Sequence, residues 1–207
     1  MVNYGPDIAN KQELTSKFDY NFAKEIADKL VETLEPFCER IFIAGSIRRQ
    51  KSLVKDIEIV CEPKRVFIQT ELFGNGKYAV IPEFHKAIRE VSEKVVKGKV
   101  DGRYMQIRLK SGITLDMFMP QRDDFYRQFA IRTGSGAFSQ TVIARAWVKK
   151  GWCGTANGLR KRNDYMEDGN PWEGSGVGHE LPPVWQSEED FFDWLGLKWV
   201  DPKERNV

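Results

Sequence analysis

The 207-residue chain sets 32 Lys and Arg against 30 Asp and Glu, a net charge of +2, and is 41% hydrophobic and 30% charged. This is the composition of an ordinary soluble globular protein, long enough for one good-sized core or two small subdomains. No apolar run is long enough to span a bilayer, no cationic-then-apolar leader follows Met1, and Cys38, Cys61 and Cys153 lack the Cys-x-x-Cys spacing of a zinc or disulfide framework, so a reducing compartment is expected.

Residues 1–10 read as a loose arm. From Asp19 to Phe37, Phe22, Ile26, Leu30 and Leu34 recur at every fourth position, which predicts an amphipathic helix with those side chains inward. Ile41–Ala44 reads as a short strand leading into a Gly45-Ser46 turn, Ile57–Cys61 as the next strand, and Phe73–Lys77 as a loop. Pro82 opens a second helix with Phe84, Ile88 and Val91 facing inward. Tyr104–Leu109 and Ile113–Met119 form a predicted hairpin around Ser111-Gly112. The order helix-strand-strand-helix-strand-strand predicts a mixed sheet backed by two helices.

Pro120 and the charged stretch to Asp124 mark a subdomain boundary. Beyond it, Phe138–Lys150 is predicted helical and ends at Gly151. Residues 163–180 read as a surface loop. Ser187 caps a last helix, with Glu188, Glu189 and Asp190 in its first turn, running through Leu195. The six tryptophans fall between Trp147 and Trp199 and are expected to anchor a small core rather than to stack bases. His85 and His179 are isolated and read as surface or packing residues.

The chemistry concentrates in two places. Asp56 and Glu58 sit at i and i+2 of a strand and therefore share a face, and Asp116 lies in a second apolar strand. Both strands are apolar enough to be expected well buried, and a carboxylate in such a setting needs a partner or a cation. Three carboxylates supply a cage of hard oxygen ligands suited to Mg²⁺, and two such ions can clamp the attacking and leaving oxygens of an in-line displacement. The Gly45-Ser46 turn lets backbone N–H groups approach a phosphate. Basic clusters flank these acids: Arg48, Arg49, Lys51 and Lys55; Lys94, Lys97, Lys99, Arg103, Arg108 and Lys110; Lys149, Lys150, Arg160, Lys161 and Arg162. Positive patches around an acidic pocket suit a polyphosphate or a nucleic-acid backbone.

The pattern Gly-Ser-x-Arg-Arg, six residues, Asp-x-Glu and a distant strand Asp resembles the DNA polymerase beta-like nucleotidyltransferases, family X. Thr133-Gly134-Ser135 followed by Phe138 is similar to that family's Thr-Gly-Ser turn. Lys150-Gly151, Gly158-Leu159-Arg160 and the terminal segment from Glu180 to Arg205 continue the likeness, which covers about residue 20 to the C-terminus. The resemblance implies an α+β fold: a nucleotidyltransferase palm with its N-terminal arm over residues 1–120, its mixed β-sheet backed by helices, then a small C-terminal α/β subdomain over 121–207 that binds nucleotide and DNA. With 44 residues before Gly45 there is no room for an upstream lyase domain, and a minimal form like that of compact viral members is expected.

By the same resemblance Asp56, Glu58 and Asp116 are the catalytic and metal-binding residues, with Asp116 beside the primer 3′-hydroxyl. Gly45, Ser46 and Arg49 hold the triphosphate, with Arg48 ranked below Arg49. Thr133, Gly134 and Ser135 lie under the incoming sugar and base, and Arg160 and Lys161 reach DNA. Three departures stand out. Glu58 occupies a position that is usually Asp. Ile131-Arg132 replaces an aromatic pair, which bears on sugar choice. Spacing to Gly151 indicates a one-residue insertion, which leaves the nascent-base-pair contact open among Ser139, Gln140 and Arg145. The implied activity is transfer of dNMP from dNTP to a primer 3′-hydroxyl on primer/template or gapped DNA, with two Mg²⁺ ions that Mn²⁺ can replace, in short-gap repair. A template-independent or RNA-directed transferase, or a non-catalytic nucleotide- or nucleic-acid-binding module, are the alternatives. A monomer without membrane association is expected, in the cytoplasm or as a virus- or phage-encoded intracellular protein.

Overall fold

The computed structural model describes residues 17–69, 76–155, 158–161 and 180–206. The predicted arm, the surface loop (but for Glu180), Arg162, Trp172, His179 and most of the Phe73–Lys77 loop lie outside those residues. A two-residue strand β1 (Phe18–Asp19) precedes helix α1 (Tyr20–Leu34). Asp19 caps this helix by accepting from the N–H groups of Asn21 and Phe22. The helix gives way at Glu35, ahead of Pro36, to a single 3₁₀ turn. Its buried face is Ala23, Ala27, Leu30 and Leu34: of the predicted row Leu30 and Leu34 are buried, Ile26 packs partly against the core, and Phe22 is 44% exposed. A strict four-residue repeat drifts by about 40° per step around a helix of 3.6 residues per turn, so the two ends of the predicted row cannot share one face.

Strand β2 (Cys38–Ile43) runs into a one-turn helix α2 (Gly45–Arg48), followed by β3 (Leu53–Val54) and the long β4 (Asp56–Pro63). A hairpin of β5 (Arg65–Ile68) and β6 (Lys77–Val80) stands outside the main sheet. Helix α3 (Pro82–Val91) starts at Pro82 as expected, with Phe84, Ala87 and Ile88 buried. Strands β7 (Ser92–Gly98), β8 (Tyr104–Leu109) and β9 (Thr114–Phe118) complete the layer. The five-stranded sheet has the order β2-β4-β9-β8-β7; β4 and β9 are parallel and the other pairs antiparallel. The mixed sheet backed by two helices is therefore present. Strand β7 was unforeseen because Glu93-Lys94-Val95-Val96-Lys97 has no apolar alternation; as an exposed edge strand with two register shifts it needs none.

The sheet is two-faced. Ile57, Ile59, Cys61, Met105, Ile107, Leu109, Leu115 and Met117 pack with α1 and α3 into the main core. The alternate positions carry Asp56, Glu58, Gln106 and Asp116 on the opposite, partly open face. The expectation that these strands are well buried thus holds along the whole of one face and, on the other, at Val60 and Phe118, while Asp56, Glu58 and Asp116 are partly buried.

After a 3₁₀ turn over Arg122–Asp124, helix α4 (Phe125–Thr133) lies across the far end of the open face. Phe125 and Phe129 cluster there with Ala44, Val60 and Phe118. The predicted helix from Phe138 is broken into α5 (Gly136–Phe138), a π-helical turn (Ser139–Ala144) and α6 (Arg145–Lys149). Gly151 follows at φ +79°, a left-handed conformation that favours glycine. A hairpin of β10 (Trp152–Thr155) and β11 (Gly158–Lys161), not foreseen, and helix α7 (Glu188–Leu195), capped by Ser187 as expected, complete the chain. Trp147, Trp152 and Trp185 are buried in one cluster with Phe191 and Phe192, against which Trp194 packs. That is the small core the tryptophans were expected to anchor.

Candidate active site

Glu58 and Asp116 are register partners across the parallel pair β4/β9, and Gln106 stands opposite Asp116 on β8. Asp56 is two residues before Glu58 on the same face. All three carboxylates are partly buried. Asp116 accepts hydrogen bonds at Oδ1 from Tyr104 Oη and Gln106 Nε2, both 2.8 Å. Burial, then the Asp116 charge, raises the Asp56 pKa. Burial, then Asp56, raises that of Glu58 to about 7, with Arg49 opposing. Burial and the bond to Asp116 push Tyr104 up to about 12. Among the described residues no three His, Cys, Asp or Glu side chains stand in metal-coordinating geometry.

The Gly-Ser turn is fixed against these acids. The Ala44 N–H donates to the Glu58 carbonyl at 2.8 Å, and Gly45 follows at φ +61°. The Ser46 hydroxyl is buried without a partner. The two arginines that follow diverge. Arg49 donates from Nη1 to the Thr133 carbonyl at 2.6 Å and from Nε to Asn206 at 3.1 Å. Burial lowers its pKa, opposed by Glu58 and Asp56. Arg48 turns to protein groups: it lies 3.9 Å over the Phe129 ring and donates to Thr133 Oγ1 and to both oxygens of Glu188. Glu188 also takes Arg205 and the Trp199 indole N–H. Burial would raise the Glu188 pKa, but Arg48 and Arg205 outweigh it and hold the carboxyl at about 2.

Two cavities meet at Glu58 and Arg132, which line both. One, of about 530 Å³, also exposes Tyr104, Asp116 and Phe118. The other, of about 430 Å³, is lined further by Gly134, Ser139, Gln140 and Trp147. The structure thus brings Glu58, Asp116, Gly134, Ser139 and Gln140 to these two adjoining cavities, while Asp56, Thr133 and Ser135 line neither. Ser139 Oγ donates to the Ile131 carbonyl, and Ser135 caps α5 through the Phe138 N–H. Arg145 is exposed. Arg160 and Lys161 sit on β11 and line neither cavity: Arg160 donates to the Leu159 carbonyl, and Lys161 lies 5.1 Å over the Trp152 ring.

Residues 129–206 match the family model of the DNA polymerase beta thumb. In fold, the chain is similar to a crystal structure of Leishmania infantum polymerase beta in a ternary P/T complex, with a TM-score of 0.68 at 16% identity. The likeness covers 97% of this chain and 80% of that one. These likenesses show a polymerase beta-like fold, with a thumb-like region over residues 129–206. No curated protein matches it.

Four residues in and around the cleft escaped the sequence reading as site residues. Gln106 and Tyr104 were within reach, since the register of the predicted hairpin sets Gln106 opposite Asp116. Glu188 reads locally as a helix-start acid, and its pairing with Arg48 spans 140 residues of sequence. Arg132 entered the reading with Ile131, as the pair standing in place of two aromatics.

Proposed function

We propose that this chain is a two-metal nucleotidyltransferase that adds dNMP from dNTP to a DNA primer 3′-hydroxyl, at short gaps, with a palm over residues 1–120 and a nucleotide- and DNA-binding subdomain over 121–207. The observation that carries the reading is the placement of Asp56, Glu58 and Asp116 on one open sheet face, bordering a cleft shared with Gly134 and Gln140. The donor set fits hard divalent cations: all oxygen, acidic, and raised in pKa by burial and mutual repulsion that a cation would relieve. Asp56 and Glu58 would hold two Mg²⁺ or Mn²⁺ ions, with Asp116 joining the one nearer the primer, and the ions supply charge stabilisation to the attacking and leaving oxygens.

The remaining work falls to the chain's own groups. The Ser46 hydroxyl, buried and unpartnered, is available to a phosphate oxygen. Arg49 supplies the charge partner of the triphosphate and ties that site to the Thr133 carbonyl. Tyr104 and Gln106 fix the Asp116 carboxylate, which sits by the primer hydroxyl and supports loss of its proton. As the new O–P bond forms at the α-phosphorus, the bond to the bridging oxygen breaks and pyrophosphate leaves. Thr133, Gly134 and Ser135 underlie the sugar and base, Ser139 and Gln140 face the nascent pair, and Arg160 and Lys161 engage DNA. Ile131, smaller than an aromatic side chain, gives a looser steric gate against a 2′-hydroxyl, where packing alone discriminates by about 10²-fold.

The test is primer extension on single-stranded, recessed and one-nucleotide-gapped DNA, with dNTP and rNTP, in Mg²⁺, Mn²⁺ or chelator. Cation-dependent incorporation, strongest on gapped DNA, is the expected result. A folded protein that binds DNA and dNTP yet incorporates nothing in either metal is a binding module instead.

A further inference from the structure

The side chain of Arg132 is the feature of the cleft that the proposed chemistry leaves unused. Its guanidinium carbon lies 4.0 Å from the centroid of the Phe118 ring. Phe118 follows Asp116 by two residues on the same strand face, and Arg132 lines both cavities together with Glu58. Its Nε hydrogen is buried with no acceptor. Burial disfavours the guanidinium charge, while Glu58 and Asp116 favour it. The acids therefore attract the guanidinium without satisfying it. A buried donor left unpaired is costly, so an acceptor entering the cleft is drawn to it. A triphosphate carries the densest set of acceptors available in this setting and is the preferred planar partner of a guanidinium.

We propose that Arg132 couples divalent-cation binding to nucleoside-triphosphate binding: without nucleotide it stands as a resident positive charge beside Glu58 and Asp116 and weakens cation binding there, and an incoming triphosphate takes the guanidinium and frees the carboxylates. The inference rests on the metal-dependent reading of this site. Its logic is reciprocal linkage, since whatever Arg132 does to the cation through the nucleotide it does to the nucleotide through the cation. In a partly open cleft, where the effective dielectric is high, a unit positive charge near a carboxylate pair changes the affinity of a dication by about tenfold.

The experiment is a Mn²⁺ titration of the full chain, followed by the loss of the free-ion electron paramagnetic resonance signal, alone and with a non-hydrolysable dNTP analogue. Wild type should bind Mn²⁺ weakly alone and about tenfold more tightly with the analogue. Arg132→Gln and Arg132→Met should bind Mn²⁺ about tenfold more tightly alone and gain little from the analogue. Arg132→Lys, which keeps the charge, should stay near wild type, and circular dichroism checks that each variant is folded. Unchanged or weaker Mn²⁺ binding by both neutral variants overturns the coupling and leaves the transferase reading intact. Absence of Mn²⁺ binding by wild type, with and without analogue, overturns both.

Discussion

A Cβ on Gly45 would overlap Oε2 of Glu58. The Gly-Ser turn and the middle carboxylate are thus packed so closely that any side chain at position 45 must displace the Glu58 carboxylate, and φ +61° at Gly45 favours glycine through the backbone. Gly45→Ala should lose about 1–2 kcal/mol from the left-handed backbone alone. It should also displace Glu58 and reduce nucleotide incorporation more than Ala substitution at Ser52, on the loop after the turn. Thermal melting and single-turnover incorporation on gapped DNA, measured on both variants, check this.

The two arginines after the turn should separate cleanly. Arg48→Ala breaks a buried network and leaves Glu188 short of a partner, so its main effect is on folding, about 3–5 kcal/mol at the upper end for a buried ion pair. Arg49→Ala should leave the melting temperature closer to wild type and raise the apparent KM for dNTP more than it weakens DNA binding. A larger nucleotide effect from Arg48→Ala would reverse the assignment.

Glu188 sets an acid limit on stability. Its carboxyl titrates at about 2 when folded, against 4.5 as the ordinary value. The folded state then binds this proton less readily than the unfolded one, so the group's stabilisation is complete above about pH 4.5 and is lost as pH falls toward 2. At about 1.4 kcal/mol per pKa unit the whole effect is about 3 kcal/mol. Denaturant unfolding at pH 6 and pH 3 should show about 2 kcal/mol of that loss in wild type and a smaller one in Glu188→Gln, which is less stable at pH 6.

Glu58 acts in the opposite sense and in a different window. Burial and Asp56 raise it to about 7. Between pH 4.5 and 7 the folded state holds the proton more tightly than the unfolded state, so stability falls as pH rises through that range. In chelator, wild type should melt at a higher temperature at pH 5 than at pH 8, by more than Glu58→Gln does. Added Mg²⁺ should shrink the difference. A pH-independent difference between the two proteins would remove Glu58 from the charge cluster.

Asp116→Asn keeps an oxygen for Tyr104 and Gln106 to donate to, so the fold should survive. Transfer should fall by about 10² or more, the scale of losing one electrostatic element at a reacting centre. Tyr104→Phe removes one donor to the same oxygen and should cost less. Wild-type turnover by folded Asp116→Asn would reject its role.

Much of this architecture is legible in the sequence because its signals are local. Pro82 starts a helix, Ser187 caps one, and apolar strands carry Asp56, Glu58 and Asp116. Where the reading failed, the determinants are not local. Phe22 was turned inward by a repeat that does not match the helical period. The hairpins at Arg65–Val80 and Trp152–Lys161 lie outside the main sheet and lack its long apolar strands. Glu188 is an ordinary first-turn acid until Arg48 and Arg205 arrive from distant parts of the chain. Arg132 matters through what surrounds it, the Phe118 ring and two acids on other strands, and no spacing rule brings those together.

The parity of β4 and β9 divides the tolerance of this protein to change. Substitutions at Ile57, Ile59, Leu115 and Met117 fall on the core side, and those at Asp56, Glu58, Thr114 and Asp116 on the cleft side. A mutational scan along either strand, read separately for abundance and for nucleotide transfer, should give two interleaved combs rather than two blocks. Within a stretch of eight residues the chain can then drift in activity without losing its fold, or in stability without touching its chemistry, one step of the strand apart.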